Sequence, residues 1–152
     1  MNDTELDLQL HATLRSRFGF DSFRDSQLDI VRHIARGQDA LVVMPTGAGK
    51  SLCFQLPALL RGLTIVVSPL LALMKDQVDA LLAIGIRATF INSSISSAER
   101  RLREEGMRTG EYELVYVAPE RFSPEFLNRM AQVDVKLLAI DEAHCLSQWG
   151  HD

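Results

Sequence analysis

Leu6, Leu10, Leu14 and Phe18 recur at every fourth position, which predicts an amphipathic helix with one buried stripe, capped by Asp3 or Thr4 and stopped by Gly19. A second stripe, Leu28, Val31, Ile34 and Ala35, ends at Gly37, a residue suited to a left-handed cap. The segment FGFDSFRDSQ, residues 18–27, joins the two helices. From residue 40 the pattern changes to short apolar runs: ALVVM at 40–44, TIVVS at 64–68, ATFI at 88–91, LVYVA at 114–118 and LLAI at 137–140. Runs of this kind read as buried parallel strands. Helix-start signals lie between them. Ser68-Pro69 and Ser123-Pro124 each set a capping hydroxyl before a proline at the first helical position, and Ser96 with Glu99 matches a capping box. The charge run Glu99 to Glu105 reads as a solvated helix face. Alternating strand and helix predicts an α/β fold: a parallel sheet with right-handed crossovers, helices on its faces and ligands at the carboxyl ends of the strands.

Composition narrows the function classes. A chain of 152 residues with 47% apolar content fits one compact domain with a sizeable core. Sixteen Lys and Arg against 20 Asp and Glu give a formal charge of -4, so any grip on nucleic acid is local rather than carried by bulk charge. The first residues, MNDTELDLQLHATLRSRF, are acidic where a secretory signal is basic, and no apolar run approaches the roughly 18 residues of a membrane span. A soluble intracellular protein without a membrane partner is the expectation. Cys53 and Cys145 have neither CxxC spacing nor the density of a disulfide framework and read as reduced thiols. No repeat, low-complexity tract or linker marks an internal boundary.

Two segments carry chemistry. ALVVM runs into PTGAGKS and then a helix expected to begin near Lys50, the setting of a phosphate-binding loop. In that role Gly47 and Gly49 let the backbone bend so that the successive amides of Thr46, Gly47, Ala48 and Gly49 face inward. Lys50 then reaches the terminal phosphates, and Ser51 coordinates magnesium. Met44 stands where the strict GxxxxGK[ST] pattern has glycine, so the loop is a variant. A chance glycine turn before a helix is the plain alternative. Asp141-Glu142-Ala143-His144 follows the strand run VKLLAI and so emerges at the sheet's carboxyl edge. There Asp141 would hold the metal, Glu142 would polarise the attacking water, and His144 would couple the centre to a neighbouring element. An ordinary helix cap is the competing reading of Asp-Glu after a strand; the upstream loop argues against it.

With these motifs in order, the chain resembles the first RecA-like motor lobe of a RecQ-type ATP-dependent DNA helicase of superfamily 2. The resemblance rests on FGFDSFRDSQ, MPTGAGKSLCFQLPAL, VVSPLLALMKDQV, YVAPERF and IDEAHCLSQWGHD, and spans nearly all of the sequence. It implies a RecA-like P-loop fold with a helical adenine-recognition segment over residues 1–37 and an α/β core over residues 38–152. For the first segment it implies Phe20 stacking on adenine, Gln27 bonding the base edge and Arg24 assisting; an amide is able to pair bidentately with adenine. Asp25-Ser26 stand where the family commonly has Pro-Gly. Without the family, Phe20 and Phe23 fit equally well as core aromatics.

The resemblance further implies contacts to single-stranded DNA at Ser68, Pro69 and Arg121, and a stacking face at Trp149 in the segment SQWGH. Capped helix starts explain Ser68-Pro69 and Ala118-Pro119 equally well, and the two roles coexist because helix amino termini bind phosphate. ATP and Mg2+ are the implied cofactors, single-stranded and duplex DNA the implied partners, and 3'-to-5' unwinding in recombination and repair the implied activity. The bacterial nucleoid, or the nucleus of a eukaryote, is the implied location. The sequence stops before the expected second lobe and its arginine finger, so this piece alone is expected to bind ATP weakly and hydrolyse it poorly. Two other readings stand beside this one: a superfamily 2 translocase acting on other nucleic acid, and a non-catalytic nucleotide-binding fragment.

Overall fold

The computed structural model describes residues 2–24, 26–37 and 50–140, and the chain divides into two compact units, Met1–Arg61 and Gly62–Asp152. The expected strand at 40–44 lies outside the described residues.

The first unit is helical. Helix α1 spans Asp3–Thr13 and α2 spans Gln27–Ala35. The cap of α1 is Asn2 rather than Asp3 or Thr4: its extended backbone lets Oδ1 accept the Glu5 N–H at 2.8 Å. Past Thr13 the helix widens into a π-helical turn, Leu14–Phe18, and ends at Gly19 with φ 75°. Helix α3, Leu52–Arg61, begins two residues later than the sequence suggests. Leu6, Leu10, Leu14, Val31, Leu52 and Leu56 form this unit's core, with Phe18 and Phe23 packed against it.

Arg32 ties α2 to α1, donating from Nε and a terminal nitrogen to the two Asp7 carboxylate oxygens, each at 2.8 Å. This pairing holds the Asp7 carboxyl below its ordinary value. A depressed folded-state pKa contributes stability above the unfolded value near pH 4, lost as pH falls through the folded one. Asp7→Asn should therefore flatten the acid limb of the stability curve below about pH 4 in urea titrations at stepped pH. An acid limb unchanged from wild type would show that the pair contributes nothing.

The second unit is the α/β layer. Strands β1 (Thr64–Val67), β2 (Ala88–Ile91), β3 (Leu114–Val117) and β4 (Leu137–Ile140) form a parallel sheet in the order β2-β3-β1-β4. The intervening helices are α4 (Leu71–Ala83), α5 (Ser97–Arg108) and α6 (Pro124–Met130). The first crossover runs opposite in direction to the next two. Right-handedness therefore places α4 on one face and α5 with α6 on the other. Packing agrees: Met107 of α5 and Phe126 of α6 share a cluster with Ile65, Ile91, Val115 and Val117, while Tyr116, on the alternate face, donates its hydroxyl to Gln77 of α4 at 2.6 Å.

Three expectations change here. Ser123 caps α6 by accepting the Phe126 N–H at 3.1 Å, but Ser68 caps nothing. Helix α4 starts at Leu71 with no side-chain cap, because Ser68 is buried at the strand end with its amide donating to Val117 O at 3.2 Å. At α5 only half the capping box forms: Ser96 accepts the Glu99 N–H at 3.1 Å, while the Glu99 carboxylate takes Arg103 Nε at 2.9 Å. The Glu99 to Glu105 run is not a fully solvated face either. Glu104 is buried between Arg100 of its own helix and Arg129 on α6.

Candidate nucleotide site

The loop between α1 and α2 builds a pocket by turning one aromatic in and another out. The left-handed backbone at Gly19 reverses the chain after the π turn, and the Phe20 N–H donates back to Leu14 O at 3.3 Å. Phe23 faces inward, packed on the core and edge-on to His11 with ring centroids 5.1 Å apart. Phe20 faces outward and is 55% exposed. An exposed phenyl ring beside a cavity is a stacking platform; a buried one is filling. The two aromatics, equivalent in sequence, thus have different places.

Arg24 and Gln27 close the loop on each other. The Gln27 N–H donates to Arg24 O at 2.9 Å, and the Arg24 N–H donates to Gln27 Oε1 at 2.8 Å. Gln27 is 3% exposed, so its amide is fixed rather than sampling rotamers. Ser26 has φ -90° and ψ 9°, a turn conformation open to any residue, so the loop closes without the glycine common in the family.

Phe20, Arg24 and Gln27 line one cavity of about 410 Å³ with Asp21, Ser22 and Leu52. That volume falls in the range of small-ligand sites. A carbonyl oxygen carries two lone pairs, so Gln27 Oε1 is able to accept from a base amino group while keeping its bond to Arg24. Asp21, Ser22 and Leu52 are lining residues that the motif reading passed over; the first two stand in the same FDSFR segment, and Leu52 directly follows Ser51.

Lys50 and Ser51 form the half-buried turn that starts α3. Lys50 O accepts the Cys53 N–H at 3.0 Å, and Ser51 O accepts the N–H groups of Phe54 and Gln55 at 3.2 and 2.9 Å. Both residues therefore sit at a helix amino terminus, where backbone dipoles favour an anion. Burial pushes the neighbouring Cys53 thiol up to about 11, which keeps it a neutral packing group.

At the carboxyl edge of the sheet, Ser68 is 1% exposed, and its Oγ has no hydrogen-bond partner among the described residues. Pro69 follows, half-buried. Arg121 lies in the short 3-10 turn Pro119–Arg121, its N–H on Ala118 O at 3.0 Å and its Nε buried without a partner among the described residues. Thr46, Gly47, Ala48, Gly49, Asp141, Glu142, His144 and Trp149 lie outside the described residues. No helix among the described residues is long and apolar enough to cross a membrane.

The second unit is a parallel α/β layer, and the first holds a cavity of small-ligand size lined in part by the first residue of α3. The chain belongs to the DEAD/DEAH box helicase family, whose model matches residues 24–152. It is 51% identical to the ATP-dependent DNA helicase RecQ of Bacillus subtilis over 138 residues, covering 89% of this chain and 23% of that protein. It is 47% identical to the same-named protein of Pasteurella multocida, covering 100% of this chain and 24% of that one. The chain thus spans about a quarter of the length of these relatives. Among solved structures it resembles a hypothetical ATP-dependent RNA helicase from Sulfolobus tokodaii with a TM-score of 0.71 at 20% identity, covering 94% of this chain and 43% of that one. This last likeness concerns the fold.

Proposed function

We propose that this chain is the ATP-binding part of a DNA helicase that couples ATP hydrolysis to 3'-to-5' strand separation in recombination and repair, inside the bacterial cell or the eukaryotic nucleus. The observation that carries the reading is the cavity joining Phe20, Arg24 and Gln27 to the start of α3, directly after Lys50 and Ser51. Phe20 stacks on adenine, Gln27 reads its edge, Arg24 flanks it, and Lys50 holds the terminal phosphates with the amides of Thr46, Gly47, Ala48 and Gly49. The oxygen ligands Ser51 and Asp141 suit magnesium, which would neutralise charge on the phosphates. Glu142 orients the attacking water, and His144 couples that centre to the DNA side. Ser68, Pro69 and Arg121 meet the strand's phosphates, and Trp149 stacks on a base. The 51% identity to a protein named ATP-dependent DNA helicase RecQ favours DNA over other nucleic acid.

The test uses the complete motor. Wild-type protein should separate a 3'-tailed DNA duplex only with ATP. Gln27→Ala should raise the KM for ATP about tenfold and narrow the preference for ATP over pyrimidine triphosphates, since a bidentate base contact is worth about 1–3 kcal/mol of discrimination. Equal use of ATP and CTP by the wild type would overturn the base-reading role, and ATP-independent strand separation would overturn the motor.

A further inference from the structure

Helices α5 and α6 line a second, half-open cavity of about 370 Å³. Its charged lining is Arg100, Arg101, Arg108 and Arg129 against Glu104 and Glu105. Four arginines against two glutamates leave two positive charges on a chain whose formal charge is -4. The arginines are not equivalent. Arg100 and Arg129 share the single buried Glu104 carboxylate: Arg100 donates at 2.9 Å, and Arg129 donates to both oxygens, from Nε to Oε1 and from a terminal nitrogen to Oε2 at 3.2 Å. Two guanidiniums are thereby fixed on one counter-charge. Arg108 is paired only with the exposed Glu105, a surface contact that water and salt weaken. Arg101 is exposed and has no ion pair among the described residues.

We propose that this pocket binds a phosphate group, with Arg101 and Arg108 as the contacting forks and the Glu104 cluster holding the wall in place. Excess charge of two matches a phosphate dianion, and the planar guanidinium fork matches phosphate oxygens two at a time. A cluster kept for stability alone would do as well with apolar side chains, because a buried ion pair is seldom worth more than its hydrophobic replacement. The phosphate comes either from free phosphate or from a nucleic-acid backbone.

The test is a titration of the full chain by calorimetry with inorganic phosphate and, in a second arm, with a short single-stranded oligonucleotide. Lys50→Ala is present throughout, and only the difference between each arginine variant and that parent is read, so that phosphate held by the nucleotide loop and oligonucleotide held at Ser68, Pro69, Arg121 and Trp149 cancel. Binding of phosphate alone identifies the free anion. Binding of the oligonucleotide, with a salt slope that falls by about one for each arginine removed, identifies the backbone. In either case Arg101→Ala should weaken binding about fivefold and the Arg101→Ala, Arg108→Ala pair about 30-fold, as expected for charge-assisted contacts. Both positions are exposed, and an unchanged melting temperature certifies the variants. Affinity equal in the double variant and its Lys50→Ala parent overturns the proposal, as does tighter binding of a glutamate-rich peptide than of either phosphate probe. Failure of helicase activity leaves this result untouched, and the reverse also holds.

Discussion

Replacing Lys50 with alanine in the complete motor should lower the turnover of ATP by about 10²–10³-fold while leaving the protein folded. That is the usual consequence of deleting one preorganised charge from a transition state. Lys50 lies in the turn that opens α3, where its carbonyl, not its ammonium group, bonds Cys53. The substitution keeps that carbonyl and gives the turn a good helix former, so the start of α3 is retained. The loss should fall mainly on kcat, because charge on the transferring phosphoryl group grows in the transition state, with a smaller rise in KM. Lys50→Arg should not restore activity, since a planar fork does not replace a compact ammonium ion against the terminal phosphates. A coupled ATPase assay, run with and without single-stranded DNA, reads the effect. Activity of Lys50→Ala within fivefold of wild type would refute the loop assignment.

The strands were legible because apolar runs report burial, although β4, expected to be buried, leaves Leu138 and Ile140 exposed. TIVV, ATFI, LVYV and LLAI are apolar at nearly every position, and β1 and β3 are buried throughout, which only a sheet covered on both faces permits. What the sequence left open turned on backbone angles or on partners distant in the chain. Asn2, Asp3 and Thr4 are all competent caps, and the choice falls to Asn2 because its own backbone is extended. Phe20 and Phe23 carry the same side chain three positions apart. Only the positive φ at Gly19 sends one outward and lets the other pack on the core. Ser68-Pro69 has the letters of a capped helix start, yet the strand's own ladder claims the Ser68 amide and α4 begins three residues later. Of the candidate site, the motif named Phe20, Arg24 and Gln27, which the fold brings to one cavity. Its extra lining, Asp21, Ser22 and Leu52, required the fold, since α3 brings Leu52 to the loop before α2.

The misread charge run leads to the second large effect. Glu104→Ala should destabilise the protein by about 3 kcal/mol, roughly 10 °C in melting temperature for a chain of this size. The substitution leaves the Arg100 and Arg129 guanidiniums facing each other across the space where their shared carboxylate stood. Breaking a buried pair from one side costs about 3–5 kcal/mol, and the low end applies because Arg129 is 44% exposed and regains water. Glu104→Gln should cost less, since the amide oxygen still accepts one hydrogen bond and no cavity opens. Exchanging the whole cluster, Arg100→Leu with Glu104→Met and Arg129→Leu, should restore stability to within about 1 kcal/mol of wild type, because desolvation of the three charges disappears together with their attraction. Urea unfolding of the four proteins decides the matter. A Glu104→Ala loss below about 1 kcal/mol would show that water already screens the cluster. A restored triple variant would mean instead that stability does not explain why α5 carries charge where it meets α6, and would leave the arginine pocket as the reason for it.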